Sequence, residues 1–226
     1  MSEDETKIVR YSTSDGVDVT LTPRVVLEEL VSAADRPTMS DRTVATIMAT
    51  LQARRMNPLA GDCSIAVFKG KATIMPSIGY YRRQAAARPE FDGIEKGVLA
   101  QATDGTIHPV KGAFVPTGWA LVGGWARGWR KDRAHECEVR VALEEYDQHN
   151  SMWQAKPATM IQKVAESQCL RELFPDAFDA TYTREEMPEP DAPREAPVVS
   201  VTAAEPVPDF GGTNDEADMA EEDKEI

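Results

Sequence analysis

The amino-acid sequence predicts an α+β chain in which helices accompany small antiparallel β-hairpins. A helix is expected over about Pro157–Phe174, because proline suits the first turn of a helix and Pro175 cannot continue one. A hairpin is expected from Trp119–Trp129 and Cys137–Leu143, because apolar and polar residues alternate in the second segment, as in a half-buried strand. Helical and hairpin segments in one chain favour a mixed fold.

The remaining elements follow from helix caps, helix breakers and turn residues. They are a short strand near Val17–Leu21, a helix from Thr22-Pro23 to about Ala34, a helix from Ser40 to about Arg55, a hairpin of Ser64–Phe68 and Ala72–Met75 around Lys69-Gly70-Lys71, a turn or helix from Pro76 to about Arg88, and a short strand near Phe91–Glu95 followed by a loop from Gln101 to Gly118.

Acidic residues are concentrated at the C-terminal end of the chain. Residues 185–226 contain 14 acidic and two basic residues, whereas residues 1–184 contain 24 acidic and 23 basic residues. The terminal segment also lacks apolar periodicity, so it cannot bury enough surface to offset its chain entropy. The sequence therefore predicts an N-terminal segment with one helix over residues 1–39, a folded core over 40–184 and a disordered acidic tail over 185–226.

Membrane and secreted proteins have signals that this sequence lacks. No run of about 18 apolar residues is present, and the first residues lack the basic region of a signal peptide. Cys63, Cys137 and Cys169 are odd in number and far apart. We therefore expect reduced, mostly buried thiols in a cytosolic protein.

Catalytic motifs are missing as well. The sequence contains no P-loop pattern, and its three histidines stand at no metal-ligand spacing with a cysteine. Asp132, Asp147 and Asp176 are scattered, so a nuclease metal site would require the fold to bring distant acids together. We expect no enzymatic activity and no cofactor, with Mg²⁺ at most modulating binding by screening phosphates.

Basic residues form three clusters: residues 54–88, the hairpin tip near residues 130–133, and the helix after Trp153. Phe68, Tyr80, Tyr81, Trp125 and Trp129 are interleaved with them. Single-stranded nucleic acid requires cations for its phosphates and flat side chains for its unstacked bases. The alternative interpretation is that hairpin turns are often basic and that tryptophan usually fills cores.

The helix after Trp153 has an apolar arc and a basic arc. The apolar arc consists of Ile161, Val164, Ala165, Cys169 and Leu173, with Gln168 among them and Glu172 interrupting it. The basic arc consists of Lys156, Met160, Lys163, Ser167 and Arg171. One interpretation is a core helix with a solvated basic side. The other is a helix that packs by one face and follows a phosphate backbone with the other.

Three blocks of residues add a resemblance to a known family. The first runs from Asn57-Pro58-Leu59 through Cys63 to Pro76, with Gly79 and Phe91-Asp92-Gly93 behind it. The second is Trp129-Arg130-Lys131-Asp132-Arg133 with His135. The third is Trp153-Gln154, Pro157, Met160, Lys163 and Gln168-Cys169-Leu170-Arg171, ending at Phe174. Over roughly residues 40–178 the chain resembles the RecT/Redβ family of phage single-strand annealing proteins, also called Bet recombinases.

This resemblance implies an annealing core of helices against a small antiparallel sheet, and ATP-independent annealing by an oligomeric ring or helical filament. By motif, Lys163 and Arg171 match helix positions that contact the DNA backbone. Arg130, Lys131 and Arg133 match a basic hairpin beside the DNA groove. Charge alone adds the other candidates for DNA contact, which are Lys69, Lys71, Arg82, Arg83, Arg127 and Lys156.

The expected partners are single-stranded DNA, the annealed duplex intermediate and further copies of the chain. Lambda-type members of the family have a folded C-terminal domain that binds an exonuclease and the host single-strand-binding protein. Here the acidic tail stands in its place, so these two partnerships stay open. We expect a phage or prophage protein that acts in recombination in the bacterial cytoplasm. The alternatives are a protein that protects single strands without annealing them and, as a third class, a DNA-processing enzyme.

Overall fold

Antiparallel strands form three sheets in the computed structural model, which describes residues 8–68, 71–178 and 181–187. The strands are β1 (Val9–Ser12), β2 (Asp18–Leu21), β3 (Cys63–Phe68), β4 (Lys71–Pro76), β5 (Phe91–Gln101), β6 (Ile107–Lys111), β7 (Ala120–Arg130) and β8 (Cys137–Ala142). β1 pairs with β2, β3 pairs with β4, and the other four form one sheet in the order β6-β5-β7-β8.

Helices accompany the three sheets and confirm the predicted α+β class. They are α1 (Pro23–Val25, continued by a π-helical turn over Val26–Leu30), α2 (Asp41–Ala53), α3 (Ile78–Ala86), α4 (Leu143–Tyr146), α5 (Ser151–Ala155), α6 (Pro157–Leu173) and α7 (Pro175–Phe178), with 3₁₀ turns at Arg36–Thr38 and Pro58–Ala60. Thr22, Ser40 and Ser77 cap α1, α2 and α3, because each side chain accepts a hydrogen bond from a free backbone N–H of the first turn.

The long helix α6 packs directly on β7 and β8, as the alternation of small residues in β7 permits. A Cβ atom placed on Gly124 would lie only 2.6 Å from the carbonyl oxygen of Ile161 in α6. Gly128 faces Cys169 and Leu173 of α6 in the same way, and Ala126 between them is fully buried. The small residues on one face of β7 therefore allow α6 to pack closely against the strand. The opposite face of β7, with Trp125 and Arg127, points away from α6.

One hydrophobic core includes residues from both sides of the boundary predicted at residue 39. Leu21 and Val26 of the N-terminal segment are fully buried in the same cluster as Leu51 of α2 and Ile161 of α6. The N-terminal segment therefore packs as part of the folded body and has no core of its own.

Three predicted elements differ from the structure. The strand predicted over Phe91–Glu95 continues to Gln101, because β5 pairs with β7 up to Gln101 and with β6 over Val98–Gln101. The loop predicted from Gln101 to Gly118 contains β6, where Pro109 is tolerated because β6 lies at the edge of the sheet. The first helix ends at Leu30 instead of near Ala34, and the N-terminal segment also contains the β1–β2 hairpin.

The predicted tail begins too early by at least three residues. Residues 184–187 form a turn that contacts α6, because Lys163 and Arg171 pair with two glutamates of this turn. The disorder expected for the rest of the tail concerns residues 188–226, which lie outside the described residues.

The three thiols are free, as predicted, and Cys169 is buried. Burial raises the pKa of Cys63 to about 12, and burial together with the neighbouring Glu172 carboxylate raises the pKa of Cys137 to about 11. Both thiols therefore stay protonated and unreactive near neutral pH. Among the described residues, the helices are too short or too polar to cross a membrane.

Candidate nucleic-acid interface

The helix α6 is enclosed on nearly every side. Its predicted apolar arc is confirmed, since Ile161, Val164, Ala165, Cys169 and Leu173 are all buried. Gln168, within that arc, donates a 2.8 Å hydrogen bond to the hydroxyl of Tyr146. Glu172, which interrupts the arc, is exposed and accepts a hydrogen bond from the thiol of Cys137.

The predicted basic arc of α6 is largely covered, and of its members only Lys156, at the N-terminal end of the helix, is exposed. Met160 and Ser167 of this arc are buried. Residues 181–187, here called the C-terminal strap, contact the two remaining cations of the arc, Lys163 and Arg171. Lys163 Nζ lies 3.1 Å from Glu185 Oε1, and Arg171 binds Glu186. The helix thus matches neither sequence interpretation fully, because Lys163 and Arg171 are only partly exposed and each already has a carboxylate partner in the strap.

The pair of Arg171 and Glu186 is nearly buried and extensively hydrogen-bonded. The Arg171 guanidinium donates to both Glu186 oxygens, at 2.5 and 3.2 Å, and to the carbonyl oxygen of Thr181 at 2.9 Å. Glu186 also accepts hydrogen bonds from the backbone N–H and the hydroxyl of Thr183. Burial alone would lower the pKa of Arg171, but the hydrogen bonds and charge of Glu186 outweigh it and raise the pKa. Arg171 is therefore an anchor for the strap.

Other groups hold the strap at its two ends. The hydroxyl of Tyr81 in α3 lies 2.7 Å from the hydroxyl of Thr181. The side-chain amide of Gln148 donates to the backbone carbonyls of residues 184, 185 and 187, at 2.7 to 3.2 Å. These contacts fix the strap at Thr181, beside α3, and at the turn over residues 184–187, beside Gln148.

Two further cations converge on α6 from separate elements. Arg82 of α3 donates to both oxygens of Glu166 in α6, from Nε at 2.8 Å and from Nη2 at 2.6 Å. Lys96 of β5 places its Nζ 2.6 Å from Glu166 Oε1. Glu166 is only 1% exposed, so its negative charge is buried and compensated by both cations. The hydrogen bonds that Arg82 donates to Glu166 raise the pKa of Arg82.

Arg83, the neighbour of Arg82, is held by a different carboxylate. Its guanidinium forms an ion pair with Asp62, which is buried. Asp62 also accepts a 2.7 Å hydrogen bond from the backbone N–H of Asn57. The first family block is thereby joined to α3 through Arg83.

The basic hairpin tip contacts the C-terminal end of α6 but is only partly available to a ligand. Arg130 donates to the carbonyl oxygen of Leu173 at 2.7 Å and pairs with Asp132, and its guanidinium lies 5.0 Å from the centre of the Phe174 ring. Lys131 donates to the carbonyl oxygen of Pro89.

Arg127 lies on the other side of the sheet from α6. It pairs with Glu138 across β7 and β8, in a shallow cleft with a volume of ≈ 310 Å³ that is also lined by Glu95, Pro109, Lys111, Trp125 and Arg140. Lys111 and Arg140 pair with Glu95 and Glu138 respectively. The cleft therefore alternates in charge, and Arg127 does not join the cations around α6.

Three predicted cations are exposed, and their side chains make no hydrogen bond or ion pair within the part of the chain that the structure describes. They are Lys71, Arg133 and Lys156. Lys69 lies outside the described residues.

The aromatic residues expected to stack with bases are mostly part of the core. Tyr80, Tyr81 and Trp125 are buried, and Tyr81 stacks against Phe178 with ring centres 4.5 Å apart. The backbone carbonyl of Arg54 accepts the Tyr80 hydroxyl at 2.9 Å, which satisfies its polar end. For these three residues the expectation of base stacking is wrong. The rings of Tyr80 and Tyr81 lie in the hydrophobic core, and Trp125 is buried on the sheet face opposite α6, where its indole N–H donates to the carbonyl oxygen of Val110. The side chain of Phe68 lies outside the described residues.

Lys96 and Glu166 were missed by the sequence interpretation. Lys96 stands in a stretch of β5 without clear alternation, and Glu166 looks like a polar residue on the solvent side of an amphipathic helix. Only the packing of α3 and β5 against α6 brings these two side chains together. Sequence spacing contains no signal for such a contact.

Dedicated metal ligands are missing among the described residues, where no group of three histidine, cysteine, aspartate or glutamate side chains is placed to hold an ion. Asp132 and Asp176 instead pair with Arg130 and Arg88.

Comparison with known proteins adds one family. The family model described as RecT family matches residues 24–200 of the chain, which include most of the described body and all of α6 and the strap. A search among curated proteins found no match.

Proposed function

Because the chain belongs to the RecT family, we propose that it binds single-stranded DNA and anneals complementary strands without ATP. The observation that carries the proposal is the match of the family model over residues 24–200, since annealing in recombination is the activity associated with that family. The cations of α3, β5 and α6 support it, because a DNA backbone requires several cations on one surface.

The proposed mechanism separates phosphate binding from base recognition. Cations hold the backbone of one strand, so the base edges stay available to a second strand. Watson–Crick pairing then selects the partner and supplies about 1.4 kcal/mol per base-pair step, so nucleotide hydrolysis is not needed. In this mechanism the protein contributes no catalytic residue, and Mg²⁺ acts only by screening phosphates.

Three of the aromatic side chains interleaved with the basic clusters are buried, which supports annealing over simple protection of single strands. Proteins that only bind and protect single strands stack successive bases on exposed aromatic rings. Here Tyr80, Tyr81 and Trp125 are buried and cannot serve as such platforms. Bases that are not stacked on the protein can pair with an incoming strand.

We also propose that the chain assembles with further copies of itself on DNA, as a ring or a helical filament, in the cytoplasm of a bacterial host of a phage or prophage. A phage exonuclease and the host single-strand-binding protein are proposed as partners in the same pathway of recombination.

Mixing two complementary oligonucleotides with the protein, without ATP, tests the proposal. Annealing faster than in buffer is expected, measured by quenching between a fluorophore and a quencher on the two strands. Binding of each strand without faster annealing would favour the protecting protein. Shortening of labelled DNA in the presence of Mg²⁺ would indicate a DNA-processing enzyme and contradict the proposal.

A further inference from the structure

The buried carboxylate of Glu166 holds two cations that reach from the interior towards solvent. The side chain of Arg82 is 49% exposed and that of Lys96 is 27% exposed, whereas Glu166 is 1% exposed. We propose that Arg82, Glu166 and Lys96 form a binding site for one backbone phosphate of single-stranded DNA. The proposal rests on the function proposed above and adds Lys96 and Glu166 to its site.

The geometry leaves hydrogen-bond donors available for a phosphate. A guanidinium has five N–H groups, and that of Arg82 donates from Nε and Nη2 to Glu166. The other three N–H groups have no acceptor among the described residues. Lys96 has three N–H groups and approaches a single oxygen, Glu166 Oε1. Donors fixed in direction by a buried carboxylate are suited to charge-assisted hydrogen bonds with an anion.

The charges of the site match one phosphodiester. Arg82 and Lys96 contribute two positive charges and Glu166 one negative charge, so the three side chains together carry one positive charge. One backbone phosphate carries a single negative charge and would make the site neutral. A neutral site is favourable here, because an uncompensated charge beside a buried carboxylate is costly. Glu166 is accordingly a positioning residue, and Arg82 and Lys96 are the groups that contact the phosphate.

The site also extends the row of cations on α6. Lys163 precedes Glu166 by three residues, so the two side chains lie on neighbouring positions of the same side of the helix. Their separation along the helix axis is about 4.5 Å, from the rise of 1.5 Å per residue. One strand can therefore pass from Lys163 to Arg82 and Lys96 without leaving this side of α6.

Salt dependence of single-strand binding tests the site. Each lost phosphate contact reduces the slope of log affinity against log salt by about 0.7. Arg82→Gln and Lys96→Gln are each expected to reduce the slope by about 0.7, and Lys96→Arg is expected to restore it. The matched control is Lys111→Gln, which removes a lysine from an ion pair with Glu95, the residue beside Lys96 but on the opposite face of the sheet. Its slope should not change.

The outcomes separate this proposal from the function on which it rests. A wild-type protein that binds no single strand would contradict the proposed function. A wild-type protein that anneals, with unchanged slopes in folded Arg82→Gln and Lys96→Gln variants, would overturn the phosphate site alone. A second measurement distinguishes free phosphate from the DNA backbone as the ligand of the site. It compares the melting temperature of the protein in inorganic phosphate with that in chloride at equal ionic strength. A stabilisation lost in Lys96→Gln, together with an unchanged DNA slope, would assign the site to free phosphate and reject the DNA backbone.

Discussion

The Glu186 carboxylate accepts two hydrogen bonds from the Arg171 guanidinium, at 2.5 and 3.2 Å, and is only 3% exposed. This pair joins the C-terminal strap to α6 at a position where family resemblance implies contact with a DNA backbone. Because a bidentate carboxylate already occupies the fork of Arg171, the residue primarily stabilises the fold.

Arg171→Ala is therefore expected to destabilise the protein by about 3–5 kcal/mol, since it leaves the Glu186 charge buried without a partner. The midpoint of urea denaturation measures this effect. The double variant Arg171→Met with Glu186→Gln is the control, because it removes both charges and should recover part of the loss. An unchanged midpoint in Arg171→Ala would show that Glu186 does not depend on Arg171.

Lys163→Ala is expected to weaken single-strand binding with little loss of stability. Lys163 is 29% exposed and forms a single ion pair with Glu185 at 3.1 Å, which a phosphate can replace. The slope of log affinity against log salt should fall by about 0.7. Glu185→Gln should act in the opposite direction and tighten binding, because it removes the competing carboxylate. Equal affinities of both variants and the wild type would exclude Lys163 from the DNA contact.

Deletion of residues 188–226 is expected to tighten single-strand binding at low salt. This segment contains 12 acidic and two basic residues and, if disordered as its composition predicts, competes with DNA at high effective concentration. The gain should shrink as salt screens the repulsion. A variant of the same length with glutamine and asparagine in place of its acids is the matched control and should behave like the deletion. A deletion that starts at residue 185 would also remove Glu185 and Glu186. Its effect on binding would then combine the loss of acidic charge with a loss of fold stability. Weaker binding at every salt concentration would rule out autoinhibition by this segment.

Newly annealed duplex is expected to stay bound longer than either single strand or preformed duplex. Base pairing contributes about 1.4 kcal/mol per base-pair step, so about 10 matched base pairs outweigh the cost of rearranging subunits. Preformed duplex, in contrast, would have to unstack to enter the site. Complementary strands are added in sequence, and each complex is then challenged with heparin. Equal lifetimes for the sequentially annealed product and preformed duplex would identify a simple basic DNA-binding protein.

The stability of the fold is expected to decrease in alkaline solution, because the thiol of Cys63 ionises more readily in the unfolded chain than in the folded protein. Burial raises its pKa from 9.0 to about 12, so above 9.0 the thiol ionises in the unfolded chain first. Stability from the protonated thiol is complete below 9.0 and is lost as the pH rises towards 12. Cys63→Ala should reduce the pH dependence of the urea midpoint in this window, whatever its effect near neutral pH. An identical pH dependence would mean that Cys63 does not contribute.

Local sequence signals located most of the elements near the site. Proline at the first turn and proline after the last turn bounded α6, and the Ser40 cap located the start of α2. These signals act over a few residues, because caps and breakers satisfy or block neighbouring backbone groups. β6 escaped prediction since Pro109 is acceptable only at the edge of a sheet, and position within a sheet is not a local property.

Charge partners, in contrast, depended on the tertiary structure. The sequence by itself determined the elements, the acidic C-terminal segment and the family blocks, and it identified Lys163, Arg171 and Arg82 as cations of interest. Only the tertiary structure decided that Glu166 contacts both Arg82, 84 positions earlier in the chain, and Lys96, 70 positions earlier. It also decided that the strap covers Arg171. The physical reason is range. Helix and strand preferences arise between near neighbours in the chain, whereas an ion pair requires two side chains that only the folded core brings together.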